Sequence, residues 1–287
     1  MHLSLIGTGL MGHALGECLL AEQQSLTVYN RDQSKTSALA ALGAKVASTA
    51  GEAVAQADIV LLMLSDAAAI DCILQTLSEA AITDRLWLQL ATIAPSESIE
   101  LGKYIESLGG RYLECPVLGS LPEARSGQLI LMPAGHQHDF ESALPLLNII
   151  GSNPQLIGKT GQGAAMKLAM NQLIAGLTAS FSLSLGLVEK QGIQIEQFMQ
   201  LLRQSALYAP TFDKKLNRML DRQFDGPNFP TKHLAKDTRL FLGVAQSIGL
   251  DSEGLEGVAG LLDKTLDMGL AETDYSAIYA AVNPQHD

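Results

Sequence analysis

Two polar side chains near the start of a long apolar segment could take part in acid–base chemistry. Lys167 and Asn171 lie in GQGAAMKLAMNQLIAGLTASFSLSLGLVEK, residues 161–190, where Ala, Met and Leu dominate and Pro is absent. Burial lowers the pKa of a lysine, and such a lysine can exchange a proton near neutral pH. A lysine near a helix end can instead extend its ammonium group to solvent. The segment by itself leaves both interpretations open.

The element that must position these residues is a helix of about thirty residues. Because a helix turns 100° per residue, its polar side chains share a face within roughly 60°. These side chains are Lys167, Asn171, Thr178 and Ser182. The rest of the circumference is apolar or small, which predicts that most of the helix is buried. The excess apolar surface favours pairing with a second subunit.

A glycine-rich motif, IGTGLMG, ends the first predicted strand and opens the first predicted helix. Gly7, Gly9 and Gly12 have the G-x-G-x-x-G spacing in the context that a dinucleotide requires. Gly7 permits the turn, Gly9 lets a pyrophosphate approach the backbone, and Gly12 lets helix and strand pack closely. The helix start, with Leu10 and Met11, offers N–H groups to the anion. We therefore predict a dinucleotide site; a purely structural turn is the alternative.

The end of the second strand, VYNRD, carries the signal for cofactor choice. An NAD-preferring site usually has Asp or Glu at this point, whereas this chain has Asn30 followed by Arg31. Loss of the carboxylate removes repulsion of a 2′-phosphate, and an arginine can hold that phosphate. NADP(H) is therefore the predicted cofactor, and an exposed surface arginine is the alternative. Asp32 comes one position late and is expected to cap the next helix.

Composition and charge limit the class of protein. The 287 residues are 47% hydrophobic, enough for a substantial core, and the net charge of −11 argues against nucleic acid as a partner. Three scattered cysteines without a CxxC motif fit a reducing compartment. The first half lacks an apolar run of membrane-spanning length, and Met1 leads directly into a strand. We expect a soluble, cytoplasmic protein with no membrane partner.

The pattern of elements changes near residue 160. Residues 1–160 alternate short apolar runs with helical segments, which predicts an α/β, Rossmann-type, doubly wound and mostly parallel sheet. RYLECPV is expected to form one strand, and AAIDCILQTLSEAA one helix. Residues 161–287 lack strand signals, and their helical segments are separated by Gly and Pro turns. We expect an NADP-binding domain, residues 1–160, joined by the long helix to an all-α domain, residues 161–287.

Taken together, the motifs resemble those of the β-hydroxyacid dehydrogenase family. The similarity covers nearly the whole chain and keeps the family's order through IGTGLMG, NRD, VLLMLSD, ATIAP, ECPVLGSLPEARSGQL, GQGAAMKLAMNQ, FPTKHLAKDTRL and DYSAI. The resemblance implies a Rossmann domain followed by an all-helical substrate and dimerisation domain. It also implies hydride transfer between a nicotinamide and a small 3-oxo acid or semialdehyde, by a homodimer or homotetramer.

The resemblance assigns roles to the polar residues of the long helix. In the family motif G-x-G-x-x-x-K-x-x-x-N, the lysine is the catalytic acid/base and the asparagine helps to hold the substrate. Gly161, Gly163, Lys167 and Asn171 occupy those positions here. The resemblance thus favours catalysis over solvent exposure for Lys167.

Further positions match the family less specifically. Met63, Leu64 and Thr92 stand at strand ends where the cofactor is expected to cross the sheet, with ordinary turn chemistry as the alternative. Lys236 and Asp237 match a K-D pair that closes over the active site in the family. The resemblance implies that Lys236 binds cofactor and Asp237 binds substrate; a solvated helix face is the alternative.

The substrate loop departs from the family. The usual P-V-S-G-G is replaced by Pro116-Val117 followed by Leu118, Gly119 and Ser120. These last three residues are the predicted substrate-binding positions, and the hydroxyl expected at 118 is missing. Either Ser120 replaces that hydroxyl from a shifted position, or Leu118 lines a more apolar pocket. Arg125 is a nearby cation for which a surface role is the alternative.

The same motifs leave two alternative functions. An imine reductase on the same fold is one alternative, although such enzymes generally lack the lysine, and a non-catalytic NADP-binding sensor or scaffold is another. His136 and His138 stand close together without a third ligand, so no metal site is predicted. Cys115 is expected to pack in a strand rather than act as a nucleophile.

Overall fold

A computed structural model describes residues 1–285 and divides the chain into two compact units, residues 1–168 and residue 169 onward. The strands are β1 (His2–Ile6), β2 (Ser25–Tyr29), β3 (Lys45–Val46), β4 (Ile59–Leu62), β5 (Leu86–Gln89), β6 (Arg111–Glu114), β7 (Val117–Leu118), β8 (Ile130–Leu131) and β9 (Ala134–Gly135). The helices between them are α1 (Leu10–Ala21), α2 (Ser37–Ala41), α3 (Ala50–Val54), α4 (Ala67–Leu74), α5 (Glu79–Ile82), α6 (Pro95–Ser107), α7 (Leu121–Arg125) and α8 (Gln137–Ile150). A 3₁₀ turn, Gln33–Thr36, precedes α2.

The first unit is built on a seven-stranded sheet in the order β3-β2-β1-β4-β5-β6-β9. The first six strands are parallel and β9 runs antiparallel to β6, which confirms the predicted doubly wound, mostly parallel sheet. The strand order reverses between β1 and β4, and ligands bind such sheets at the carboxyl ends beside that reversal. The predicted glycine loop follows β1 and therefore lies at this point.

Alternate side chains of the sheet line two buried apolar clusters, one on each face. Leu3 and Leu5 of β1 belong to one cluster, and Ile6 belongs to the other. Tyr112 and Trp87 are fully buried in the second cluster. Both faces are covered because parallel strands bury their two faces under helices. The sheet is thus a rigid support for the loops at its carboxyl edge.

Two predicted elements are each divided in the structure. RYLECPV, predicted as one strand, forms β6 and then β7, which pairs with β8 in a separate two-stranded sheet. Pro116 lies between them and has no N–H group for a continued ladder. AAIDCILQTLSEAA, predicted as one helix, forms α4 and α5. The Thr76 hydroxyl donates to the Ile73 carbonyl at 2.7 Å, a local bond that competes with helix continuation.

The remaining helices are α9 (Gln162–Lys190), α10 (Ile195–Gln204), α11 (Pro210–Leu220), α12 (Thr231–Ser247), α13 (Glu253–Asp267) and α14 (Ile278–Val282), with a 3₁₀ turn at Tyr275–Ala277. In the second unit, Leu234, Leu262 and Ile278 pack around Ala175 and Ala179 of α9. This cluster fixes α12 against the middle of α9, and α12 carries the predicted Lys-Asp pair.

The long helix α9 is buried on the side that carries its polar residues and exposed on the opposite side. Its polar residues Lys167, Asn171, Thr178 and Ser182, which share one face, are all buried. Large apolar side chains remain exposed on the other side: Met166, Leu173, Leu177, Leu183 and Leu187. The prediction that most of the helix is buried is therefore wrong for the single chain, because only one side of α9 packs against other elements. That side carries the polar residues together with apolar ones such as Leu168, Phe181 and Leu185.

Length and composition alone would allow α9 to cross a membrane. Half of its most apolar window is nevertheless buried inside the structure, as in the central helix of a globular protein. A single helix of this kind is weak evidence for a membrane span.

Candidate functional site

The glycine loop after β1 has the geometry of a phosphate-binding turn. Gly7 has φ +98°, and a Cβ there would lie 2.2 Å from the carbonyl oxygen of Met63. A Cβ at Gly12 would lie 2.0 Å from the Gly7 carbonyl oxygen, so helix and loop require both glycines. At Gly9 a Cβ would meet no atom within 4 Å, which leaves open space beside the backbone. The loop is closed on the sheet side and open on the Gly9 side.

The start of α1 offers unused donors toward that open space. The first intrahelical bond runs from His13 N–H to the Gly9 carbonyl at 2.8 Å, so the amides of residues 10–12 have no acceptor within the helix. The Thr8 hydroxyl oxygen is also buried and lacks a hydrogen-bond partner among the described residues. An anion is favoured at such a helix start. Leu10 and Met11 thus lie at a helix start whose free amides suit an anion.

The end of β2 presents a cation and turns its carboxylate away. Arg31 is exposed and forms no ion pair within residues 1–285. Asn30 Nδ2 donates to the Asp32 carbonyl at 2.8 Å. Asp32 caps the following turn by accepting from Ser34 N–H at 3.1 Å and Ser34 Oγ at 2.6 Å, which confirms its predicted role. These bonds from Ser34 hold the pKa of Asp32 below its ordinary value.

The other predicted cofactor residues of this unit lie after neighbouring strands. Met63 and Leu64 directly follow β4 and are half-buried beside the glycine loop, whereas Thr92 follows β5. Asp66, the last residue of the MLSD motif, caps α4 by accepting from Ala69 N–H at 2.8 Å. For Asp66 the structure therefore shows ordinary turn chemistry.

The predicted substrate loop is a tight turn whose serine already forms hydrogen bonds within the protein. Leu118 is half-buried in β7, paired with Ile130 of β8. Gly119 has φ +148°, and a Cβ there would lie 2.7 Å from Leu129 Cδ2. Ser120 precedes α7 and donates to the Glu123 carboxylate both from its hydroxyl and, at 2.9 Å, from its N–H. Its hydroxyl is thus committed to a helix cap.

Arg125 pairs on the surface with an acidic residue of α1. Its Nε donates to Glu17 Oε2 at 2.6 Å, and both side chains are partly exposed to solvent. In the structure Arg125 therefore has the surface role that was the alternative from the sequence.

Lys167 and Asn171 lie one turn apart on α9, at 8% and 2% exposure. Asn171 Nδ2 donates to Asp237 Oδ2 at 2.7 Å. Because a carboxylate oxygen accepts and the amide nitrogen donates, this bond fixes the orientation of the amide. Asn171 Oδ1 is then left buried without a hydrogen-bond partner among the described residues. The arrangement presents a lone acceptor one turn beyond a buried lysine.

The Lys236–Asp237 pair on α12 is not a solvated helix face. Asp237 is buried, and its Oδ1 forms an ion pair with Lys236 Nζ at 2.9 Å. Its other carboxylate oxygen holds Asn171, so both oxygens of Asp237 have assigned contacts. Asp237 thereby links the lysine of α12 to the asparagine of α9.

Sequence reasoning missed one buried carboxylate at this end of the sheet. Glu114, the last residue of β6, accepts hydrogen bonds from the backbone at the start of α9. The available signal was the charged residue itself, because a fully buried parallel strand is ordinarily apolar throughout.

The structure also locates the two histidines and the cysteine for which the sequence predicted no functional role. His136 is the residue before α8, and His138 lies in the first turn of that helix. The described residues hold no cluster of three or more metal-ligating side chains. Cys115 is fully buried. Burial raises the pKa of its thiol well above the ordinary value, which disfavours the nucleophilic thiolate.

A phosphate-binding loop at the strand-order reversal of a doubly wound sheet defines a dinucleotide-binding protein of the Rossmann class. Residues 2–158 match the family described as the NAD binding domain of 6-phosphogluconate dehydrogenase. Residues 161–282 match the family described as NAD-binding of NADP-dependent 3-hydroxyisobutyrate dehydrogenase. The chain belongs to the β-hydroxyacid dehydrogenase family, and its matches support a nicotinamide cofactor.

Individual relatives cover almost the whole chain. Glyoxylate/succinic semialdehyde reductases 2 and 1 of Arabidopsis thaliana are 32% and 30% identical over 98% of this chain, which spans 79% and 98% of their lengths. Cytokine-like nuclear factor N-PAC of Xenopus tropicalis is 26% identical over 97% of this chain and 53% of its own length. The solved structure of Mycobacterium tuberculosis 3-hydroxyisobutyrate dehydrogenase with L-serine has a TM-score of 0.87 at 23% identity, covering 98% of this chain and 99% of that one. This last likeness shows the fold alone.

Proposed function

We propose that the chain is an NADPH-dependent reductase of small 3-oxo acids or semialdehydes that also runs in the β-hydroxyacid dehydrogenase direction. The observation that carries the proposal is the buried Lys167 followed one turn later by Asn171, whose acceptor oxygen has no hydrogen-bond partner within residues 1–285. A proton donor and an unpaired acceptor are the groups that a carbonyl/alcohol pair uses. The names of the two Arabidopsis thaliana relatives support the same class of substrate.

The residues proposed to hold the cofactor belong to the first unit, except Lys236. The amides at Leu10 to Gly12 and the open side of Gly9 suit a pyrophosphate, and the exposed Arg31 suits a 2′-phosphate. The nicotinamide, when bound, supplies hydride to the carbonyl carbon or accepts it from the alcohol. Met63, Leu64 and Thr92 are proposed to line its path along the sheet edge.

Lys167 is proposed to move the proton. As negative charge develops on the carbonyl oxygen, the Lys167 ammonium stabilises it and donates a proton from Nζ. In the oxidative direction the neutral amine takes the proton from the alcohol hydroxyl. Burial favours the exchange, since it strengthens local electrostatic interactions.

The substrate is proposed to contact Asn171 and the turn at Gly119 and Ser120. Asn171 Oδ1 can accept from the hydroxyl of the alcohol, because Asp237 holds its amide nitrogen. At the turn, the usual serine hydroxyl is absent at Leu118 and the Ser120 hydroxyl already donates to Glu123. The loop therefore offers a substrate carboxylate fewer donors than the family pattern does, which favours substrates with a more apolar end.

We further propose that a second copy of this chain covers the apolar face of α9. Met166, Met170, Leu173 and Leu177 follow alternating steps of four and three residues, the spacing of a helix pair. The exposed members of this row would be buried in a homodimer, or in the dimers of a homotetramer.

The proposal is tested by following NADPH absorbance with glyoxylate, succinic semialdehyde, tartronate semialdehyde and a cyclic imine. Each substrate is run with wild type and with Lys167→Ala. Turnover of an aldehyde acid that collapses in the variant supports the proposal. Turnover of the imine alone, unchanged by the variant, assigns the chain to imine reduction and overturns it.

One observation favours a second candidate, a non-catalytic NADP-binding protein. The similarity to the nuclear factor N-PAC runs over almost the whole chain at 26% identity. This candidate predicts tight NADPH binding by calorimetry with no turnover of any substrate in the panel. The reductase proposal predicts both binding and turnover.

A further inference from the structure

A fully buried carboxylate holds the first turn of the helix that carries Lys167. Glu114, at the end of β6, is 0% exposed. Its Oε1 accepts hydrogen bonds from the backbone N–H groups of Gly161 at 2.8 Å, Gly163 at 2.7 Å and Ala164 at 3.3 Å. These donors lie 47 to 50 residues further along the chain, so the contact is tertiary rather than local.

Glycine at the helix start leaves the capping of α9 to this carboxylate. An N-cap side chain ordinarily accepts from the second or third amide of its own helix, and Gly161 has no side chain to do so. The first intrahelical bond runs from Ala165 N–H to the Gly161 carbonyl at 3.0 Å, so the earlier amides need other acceptors. Glu114 provides an acceptor whose negative charge is favoured at a helix N-terminus.

The two glycines of the G-x-G motif allow the helix to approach Glu114. Gly161 has φ +97°, a conformation that residues with side chains rarely adopt. A Cβ at Gly163 would lie 2.3 Å from the Met132 carbonyl oxygen and 3.1 Å from Glu114 Oε1. A side chain at position 163 would therefore push the helix start away from the carboxylate. The glycines ahead of Lys167 are explained by this close packing.

The second oxygen of Glu114 is also held. Ser98 of α6 donates its hydroxyl to Glu114 Oε2, and Ser98 Oγ lies 2.8 Å from the Tyr112 hydroxyl. Ser98 and Tyr112 are fully buried. Burial raises the pKa of Glu114, and the bonds from Ser98 and the helix amides act against that rise. Both oxygens are fixed by donors on different elements, so the carboxylate cannot rotate freely.

We propose that Glu114 is a positioning residue that fixes Lys167 for proton transfer. Lys167 lies one turn beyond Gly163 on the same face of α9, so fraying of the first turn would displace its ammonium group. Glu114 contacts backbone and Ser98 and acts on the reaction through the helix. This inference rests on the proposed role of Lys167 as the acid.

The kinetic test compares three variants in the NADPH assay. Glu114→Leu removes every acceptor from the helix start and should lower kcat by roughly 100-fold while the KM for NADPH stays within about twofold. Glu114→Gln keeps one carbonyl oxygen for the three amides and should recover most of kcat. Asp139→Leu, the matched control, removes another buried carboxylate of the same unit that lies at the start of α8. It should leave kcat near wild type.

Two readouts do not depend on turnover. Hydrogen–deuterium exchange should accelerate at residues 161–164 in Glu114→Leu and stay slow in Asp139→Leu. The rate of Lys167 modification by an amine-reactive label, measured by peptide mass spectrometry, should change in the same variant only. If wild type reduces none of the substrates, the proposed function fails. These measurements would still test whether Glu114 holds the start of α9.

The inference is overturned if Glu114→Leu keeps wild-type kcat, or if exchange and labelling are unchanged. Gly163→Ala serves if Glu114→Leu does not fold, because it keeps the carboxylate and displaces the helix start. It should produce the same loss of kcat with the same faster exchange. Wild-type kcat and wild-type exchange in Gly163→Ala would contradict the proposed role of Glu114.

Discussion

The amide of Asn171 is locked by Asp237, which accepts from Nδ2 at 2.7 Å while its other oxygen pairs with Lys236 at 2.9 Å. The lock leaves Asn171 Oδ1 as an acceptor with no partner among the described residues. A buried acceptor without a partner costs stability, so its persistence suits a ligand that donates to it. Asp237 therefore determines that Asn171 presents its oxygen, and not its nitrogen, to a ligand.

Asp237→Asn should therefore weaken catalysis without weakening cofactor binding as much. The new amide can donate as well as accept, so Asn171 is no longer held in one orientation. Loss of one well-placed hydrogen bond is worth about 1–3 kcal/mol, or roughly 5- to 150-fold in kcat/KM for the aldehyde. Steady-state kinetics with varied aldehyde and varied NADPH check this expectation. An effect on NADPH alone would show that Asp237 serves the cofactor.

Arg31 should set the preference for NADPH over NADH. Arg31→Ala removes the cation proposed for the 2′-phosphate, and a hydrogen bond to a charged group is worth about 1.5–3 kcal/mol. The Kd for NADPH should rise by roughly 10- to 150-fold while that for NADH changes little. Fluorescence titration with both nucleotides measures the two values. Lys35→Ala, on the neighbouring 3₁₀ turn, is the control for loss of a nearby positive charge. Equal weakening of both nucleotides would remove Arg31 from the 2′-phosphate site.

Leu118→Ser restores the hydroxyl of the family's substrate loop. If a missing hydroxyl limits carboxylate binding, the variant should raise kcat/KM for glyoxylate by roughly 10- to 150-fold, the worth of one hydrogen bond to a charged group. An uncharged aldehyde should gain nothing. The ratio of the two kcat/KM values is the measurement. A fall for both substrates would mean that Leu118 supports the loop through packing instead.

The sequence predicted those parts of the site whose residues lie close together in the chain. The loop at Gly7, Gly9 and Gly12 follows from spacing within six residues of one strand-to-helix turn, and its geometry agrees with that reading. Glu114 could not be assigned because its partners at Gly161 and Gly163 lie 47 and 49 residues away. Spacing within a motif carries no information about such a contact.

The same distinction between local sequence signals and long-range contacts applies to the fold. Alternating strands and helices predicted the doubly wound sheet, since that pattern is repeated along 160 residues. The orientation of α9 was not predictable, because its apolar residues surround the helix and mark no buried side. Packing instead buried the narrow polar face of Lys167 and Asn171 and left Leu187 exposed.

Leu187→Glu should separate the proposed subunits. Leu187 is exposed near the end of α9, roughly 30 Å from Lys167 along the helix, so the change should spare the residues proposed for catalysis. A charge buried in an apolar interface is strongly unfavourable, and the mass measured by light scattering should fall to that of one chain. Leu207→Glu, at a residue 79% exposed outside α9, should leave the mass unchanged. A wild-type mass for Leu187→Glu would place the interface elsewhere.

Glu114 should also make stability depend on pH in a specific direction. Burial raises its native pKa above the unfolded value, so between these two values the native state binds more protons than the unfolded state. The contribution of Glu114 to the free energy of unfolding is therefore fully present below the unfolded pKa and is lost as pH rises through the native pKa. Glu114→Gln lacks this titration. Urea unfolding of both proteins from acidic to neutral pH should show wild type losing stability relative to Glu114→Gln as pH rises.

The opposite trend would identify which force dominates at this carboxylate. If wild type gains stability relative to Glu114→Gln with rising pH, the hydrogen bonds from Ser98 and the start of α9 outweigh burial and lower the native pKa. Asp139→Asn is the control, because it removes a different buried carboxylate from the same unit. With the expected sign, Glu114 costs stability at neutral pH, and the benefit of keeping it would lie in holding Lys167.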